Sequence, residues 1–145
     1  MTRRSLPVTA PWIMGLDLSL TSAGIVVLPP SWEPGEGWQN VVVKAIGYDL
    51  KRGCSAEERV ERLLTIVDAI GDTFDDVIDS VGVELFPTIQ VFVEDYSYGM
   101  AFGAHQLGEL GGCVRLHFWR RGVLVRPVNH TSARKLVSYR SDRCW

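Results

Sequence analysis

The sequence predicts an α/β domain: a five-stranded mixed sheet flanked by helices. Three observations carry that expectation. The chain has 145 residues, enough for one core and short for two. Three β-forming runs follow one another early, with turn residues between them and no helical pattern. Two later apolar runs are each reached through a stretch with helical periodicity, the pattern of a right-handed parallel crossover. A composition of 46% hydrophobic and 22% charged residues is that of a globular protein.

Met1 to Pro11 reads as an N-terminal extension, and residues 12–145 as the domain. Trp12 to Leu18 is an apolar run of β-formers. A turn with Ser19, Thr21, Ser22 and Gly24 leads to a second strand, Ile25 to Leu28, stopped by Pro29 and Pro30. Pro34, Gly35 and Gly37 keep the next stretch irregular before Val41 to Tyr48 resumes β-branched character. Ser55 and Glu58 form a capping box, and Val60, Leu63, Leu64, Val67 and Ile70 recur at helical spacing, which predicts a helix over 55–71. The following Asp72, Asp75, Asp76 and Asp79 read as a solvated helix or loop surface. Ile89 to Val93 is a buried strand ending in Glu94 and Asp95, and Ala101 to Arg121 is a helix. Gly108, Gly111 and Gly112 inside that helix predict a close backbone approach, with the sheet as neighbour. Val123 to Val128 is the last strand, and Thr131 to Val137 begins a short helical segment.

Several classes are disfavoured. No run of eighteen apolar residues exists, so no membrane span is expected. Cys54, Cys113 and Cys144 fit neither a disulfide framework nor a metal-ligand spacing, and predict reduced thiols in a cytoplasm. His105, His117 and His130 share no zinc-ligand spacing. The charge is polarised: residues 1–114 hold seven Lys/Arg against sixteen Asp/Glu, and residues 115–145 hold eight against one. So basic a C-terminal stretch is either a solvated face or a contact for a polyanion.

Two carboxylates stand where strands end. Asp17 lies between Leu16 and Leu18, where burial would have to be offset by a metal ion, by an arginine, or by the strand end opening to solvent with Ser19 and Thr21 donating hydrogen bonds. Glu94 repeats the pattern. If their strands are parallel neighbours, the two acids meet at one sheet edge. That geometry suits Mg²⁺, which takes one or two carboxylates together with water and substrate phosphate.

The segment Ile13-Met14-Gly15-Leu16-Asp17-Leu18-Ser19-Leu20-Thr21-Ser22-Ala23-Gly24 resembles the first hairpin of RuvC-type Holliday junction resolvases of the ribonuclease H-like superfamily. Val91-Phe92-Val93-Glu94-Asp95 resembles their fourth strand. Leu107 to Arg115, Gly122 to Pro127 and Ser132-Ala133-Arg134-Lys135-Leu136 resemble the glycine-bearing helix, the fifth strand and the basic segment before the last helix. The likeness spans residues 12–137 and is greatest to compact phage-borne members. It implies a ribonuclease H-like sheet and a homodimer that nicks four-way DNA junctions, using Mg²⁺ or Mn²⁺ in its place. Asp17 and Glu94 would be the catalytic metal ligands. Arg134, Lys135 and Arg126 would contact DNA phosphates, and Tyr96, Tyr98 or Phe102 either stacks on an unpaired base or packs beneath a loop.

The chain departs from the family in two places. The family completes its site with acidic residues on a further helix, whereas the only acid after Glu109 is Asp142, and the chain ends at Trp145. A truncated chain, a diverged tail and a two-carboxylate site with weak or no catalysis all remain open. The family's aromatic wedge position is Ser97, between Tyr96 and Tyr98. The alternative function is therefore a non-catalytic branched-DNA binding protein. A kinase-like or actin-like phosphotransferase also begins with such a hairpin but needs a far longer chain. For the dimer contact, the expected surface is the face of residues 101–121 carrying Phe118 and Trp119.

Overall fold

The computed structural model describes residues 11–30, 32–33, 35, 37, 41–47, 55–81, 89–95 and 104–129. Its elements are β1 (Trp12–Leu18), β2 (Ser22–Leu28), β3 (Val42–Gly47), α1 (Ala56–Val81), β4 (Ile89–Asp95), α2 (Ala104–Arg120) and β5 (Val125–Asn129). The five strands form one sheet in the order β3-β2-β1-β4-β5. β1, β2 and β3 pair antiparallel, while β4 pairs parallel with both β1 and β5. The expected mixed sheet is present. The helical segment expected at 131–137 and the N-terminal extension up to Ala10 lie outside the described residues.

Alternation fixes the two faces of the sheet, because successive strand side chains point to opposite sides. Met14, Leu16 and Leu18 of β1, Ala23, Ile25 and Val27 of β2, and Ile89, Val91 and Val93 of β4 are buried on one face. Ile66, Ile70 and Phe74 of α1 and Leu110, Val114 and Phe118 of α2 join them in a single core. The opposite face carries Ile13, Asp17, Val43, Phe92, Glu94, Leu124 and Arg126, and among the described residues no helix covers it. Pro127, which has no N–H to give, sits on the edge strand β5.

The helix α1 starts as the sequence predicts. Ser55 N donates to Glu58 Oε2 at 2.7 Å, and Glu58 N donates to Ser55 Oγ at 3.2 Å, so the capping box closes in both directions. The helix then runs ten residues beyond the expected end and absorbs Asp72, Asp75, Asp76 and Asp79 on its solvated side. Its buried stripe matches the expected one at Val67 and Ile70 and departs from it elsewhere. Val60 and Leu64 are exposed, while Arg62, Ile66, Ile70, Phe74 and Val77 face inward. The stripe is set by the contacts of all 26 residues, and the first two turns alone do not define it.

The helices α1 and α2 lie side by side and parallel, meeting at Gly71 with His117, at Phe74 with Phe118 and at Asp75 with Arg121. The Phe74 and Phe118 rings pack edge to face, with centroids 5.1 Å apart. A Cβ on Gly71 would lie 2.9 Å from His117 Cε1 and nearer still to Nε2, so glycine leaves the room in which the His117 ring rests against α1. In α2 the glycine expectation is corrected. Gly111 is buried, but Gly108 and Gly112 are exposed and a Cβ on either would meet nothing. The end of α2 is a Schellman cap, with Gly122 at φ +75° and Val123 N donating to Phe118 O at 3.0 Å. Among the described residues no helix is long and apolar enough to cross a membrane.

Candidate active site

The register of the central strands builds the site. β1 and β4 pair in parallel from Trp12 opposite Ile89 to Leu16 opposite Val93. One step further stand Asp17 and Glu94, on neighbouring strands about 4.8 Å apart. Leu16 and Val93 point into the core, so the next residue on each strand turns to the opposite face. The two carboxylates therefore share the face that the helices leave open. Asp17 is exposed and Glu94 half-buried.

The same row crosses the whole sheet. Gly24 of β2 pairs with Asp17 and with Ala45 of β3, and Val128 of β5 pairs with Glu94. Gly24 matters because a Cβ there would touch Asp17 Cβ at 3.6 Å; its absence leaves that side of the carboxylate open. Arg126, two residues before Val128, pairs with Phe92 and is exposed on the same face. That places a fixed positive charge about 7 Å along the sheet from the carboxylate row.

Asp17 stands at a strand end that opens to solvent, one of the alternatives expected for it. Strand alternation turns it to the open face, where it is exposed. Ser19 and Thr21 bond to each other, with Ser19 Oγ 3.1 Å from Thr21 Oγ1 and Thr21 N donating to Ser19 Oγ at 3.3 Å. This hydroxyl pair in the turn that follows Asp17 is a feature that spacing alone does not reveal, although the Ser-x-Thr turn is its signal.

Of the residues expected at the site, Asp17, Glu94 and Arg126 come together on one face. Tyr96, Tyr98, Phe102, Arg134, Lys135, His130 and Asp142 lie outside the described residues. Among the described residues no group of three His, Cys, Asp or Glu is placed to hold a metal ion. The expected dimer face is corrected in part: Phe118 is fully buried in the core, while Trp119 is 66% exposed beside exposed Leu116. Arg121 is also not free for DNA, since its guanidinium bonds Asp75 Oδ2 at 3.0 Å and His117 Nε2. Burial holds the His117 imidazole below its ordinary pKa of 6.5, and Arg121 pushes the same way against the opposing pull of Asp68 and Asp75.

A solved structure shares the fold at low identity. A Thermus thermophilus RuvC in complex with a Holliday junction substrate superposes with a TM-score of 0.50 at 19% identity, over 82% of this chain and 64% of that one. The fold is RuvC-like. A second T. thermophilus RuvC structure gives a TM-score of 0.48 at 22% identity, over 81% of this chain and 63% of its own. The chain thus spans just under two thirds of the RuvC chains it matches. Neither the sequence profile of any known family nor any curated protein matches it. The RuvC-like sheet is the ribonuclease H-like architecture expected from the sequence.

Proposed function

We propose that this chain is a divalent-metal-dependent endonuclease that nicks branched DNA, four-way junctions in particular. The observation that carries the reading is the register of β1 and β4, which sets Asp17 beside Glu94 at one open sheet edge. Two adjacent hard oxygen donors, one of them exposed, fit Mg²⁺, which binds through one or two carboxylates and keeps positions for water and phosphate. Asp17 and Glu94 would hold the ion, and Mn²⁺ would substitute for it. When bound, such an ion lowers the pKa of water and neutralises charge building on the phosphate. The residues of the chain do the rest. The two carboxylates orient water toward phosphorus for displacement of the bridging oxygen, and Arg126 offers a phosphate contact further along the same face. Arg134, Lys135, Tyr96 and Tyr98 are proposed to extend that contact to the neighbouring backbone and to an unpaired base.

A homodimer accounts for paired nicks across a symmetric junction, since one site cannot cut two opposed strands in one binding event. Its proposed contact is the outer ridge of α2, where Leu116 and Trp119 are exposed beside the open glycines Gly108 and Gly112. A second reading, a non-catalytic branched-DNA binder, is favoured by the density of Lys and Arg in residues 115–145.

Nicking of a labelled four-way junction and of linear duplex, in EDTA, Mg²⁺ and Mn²⁺, separates the two. Junction-specific nicks that vanish in EDTA and in Asp17→Asn and Glu94→Gln support the nuclease. Salt-sensitive binding without nicks supports the binder. Nicking that survives either substitution refutes the assigned residues.

A further inference from the structure

We propose that the Ser19 and Thr21 hydroxyls form the seat for the scissile phosphate, donating a hydrogen bond to one of its non-bridging oxygens; this rests on the endonuclease reading above. Two side-by-side carboxylates repel a phosphodiester, so a site built on Asp17 and Glu94 needs a donor close by to hold the anion. The ladder between β1 and β2 ends at Leu18 opposite Ala23, so Ser19 and Thr21 lie in the tip that follows Asp17, at the same sheet edge as Glu94. Both are reachable, Ser19 being half-buried and Thr21 exposed.

The hydrogen-bond count leaves a donor over. Two hydroxyls carry two O–H groups, and the Ser19–Thr21 contact at 3.1 Å uses one of them. Ser19 Oγ also accepts the Thr21 backbone N–H at 3.3 Å, which consumes a lone pair and no proton. Either oxygen can be the donor in that contact, so one of the two O–H groups, on Ser19 or on Thr21, stays over for a ligand, and the Thr21 N–H bond holds Ser19 Oγ in the turn. Neutrality is the useful property here. A lysine at this tip would pair with Asp17 or Glu94 and compete with the ion, whereas a neutral hydroxyl binds phosphate oxygen without that competition.

The test uses the full chain and a labelled four-way junction, comparing the parent with Ser19→Ala, Thr21→Val, the double variant and Ser19→Thr. Single-turnover nicking in Mg²⁺ is expected to fall about tenfold to a hundredfold in the double variant, the loss of one hydrogen bond to a charged group. Junction affinity in EDTA is expected to fall by no more than the rate does, melting temperature to stay at the parent's value, and Ser19→Thr to restore most of the rate. Variants that nick at the parent's rate overturn this proposal while leaving the nuclease reading intact. A fall in rate matched by a fall in melting temperature, with no recovery in Ser19→Thr, overturns it in favour of a purely structural turn. A parent that nicks in neither Mg²⁺ nor Mn²⁺ removes the nuclease reading, and the phosphate seat with it.

Discussion

Replacing Gly71 by alanine tests the helix pair from both sides of the energy balance. In an open helix the change stabilises by about 1 kcal/mol, because alanine is the better helix former. At Gly71 the new methyl would meet the His117 ring, at 2.9 Å from Cε1 and closer to Nε2. That ring cannot swing away freely, since Arg121 holds its Nε2 and Phe118 packs edge to face at 5.9 Å. Overpacking of this kind costs about 1–3 kcal/mol, so the net change is a loss of up to about 2 kcal/mol. A chain of this size loses about 2–4 °C of melting temperature per kcal/mol. The matched control is Gly108→Ala, where a Cβ meets nothing and melting should rise by about 2–4 °C. In a His117→Ala background the clash is gone, and Gly71→Ala should turn stabilising, with a coupling energy of about 1–3 kcal/mol between the two sites. Thermal melts of the four variants and the parent decide it. If Gly71→Ala stabilises as Gly108→Ala does, or if its penalty persists without the imidazole, the close-approach argument is wrong.

Three further outcomes follow from the structure. His117 is held below its ordinary pKa, mainly by burial and then by Arg121, so the folded state binds fewer protons than the unfolded one; its contribution is present above about pH 6.5 and is lost as pH falls through the lowered value, and urea midpoints across that window should drop more for the parent than for His117→Ala. Ser55→Ala opens the capping box and should cost about 1 kcal/mol, read from denaturant midpoints at constant slope. Trp119→Glu should leave melting within about 0.5 kcal/mol of the parent and, if the proposed dimer forms through α2, convert it to a monomer by light scattering; a mass that stays dimeric places the interface elsewhere.

Strand positions were legible because alternation and β-branched runs are local signals. Asp17 and Glu94 were identified from strand-end position alone, and the register then put them together. What lay beyond the sequence was mostly set by tertiary packing. Gly71 followed by aspartates looks like a helix stop, yet the helix continues, because that glycine serves the approach of His117 and the aspartates simply face water. Conversely, Gly108 and Gly112 looked like contact points and are open, while Phe118, read as an interface residue, fills the core opposite Phe74. Arg62 stands in the buried stripe, a position that no periodicity of apolar residues could mark.

The pairing of β1 with β4 also governs when the site comes into being. The β1–β2 hairpin joins residues close in sequence and closes on the microsecond scale, but it supplies only Asp17. Glu94 arrives only after the chain has passed through β3 and the 26 residues of α1 and returned beside β1, the slow, non-local class of contact. The carboxylates therefore become neighbours only when the parallel ladder zips, and any opening of that ladder separates them. Metal-dependent protection of the β1 and β4 amides from hydrogen exchange would accordingly report on the sheet's central seam and on the site in one reading.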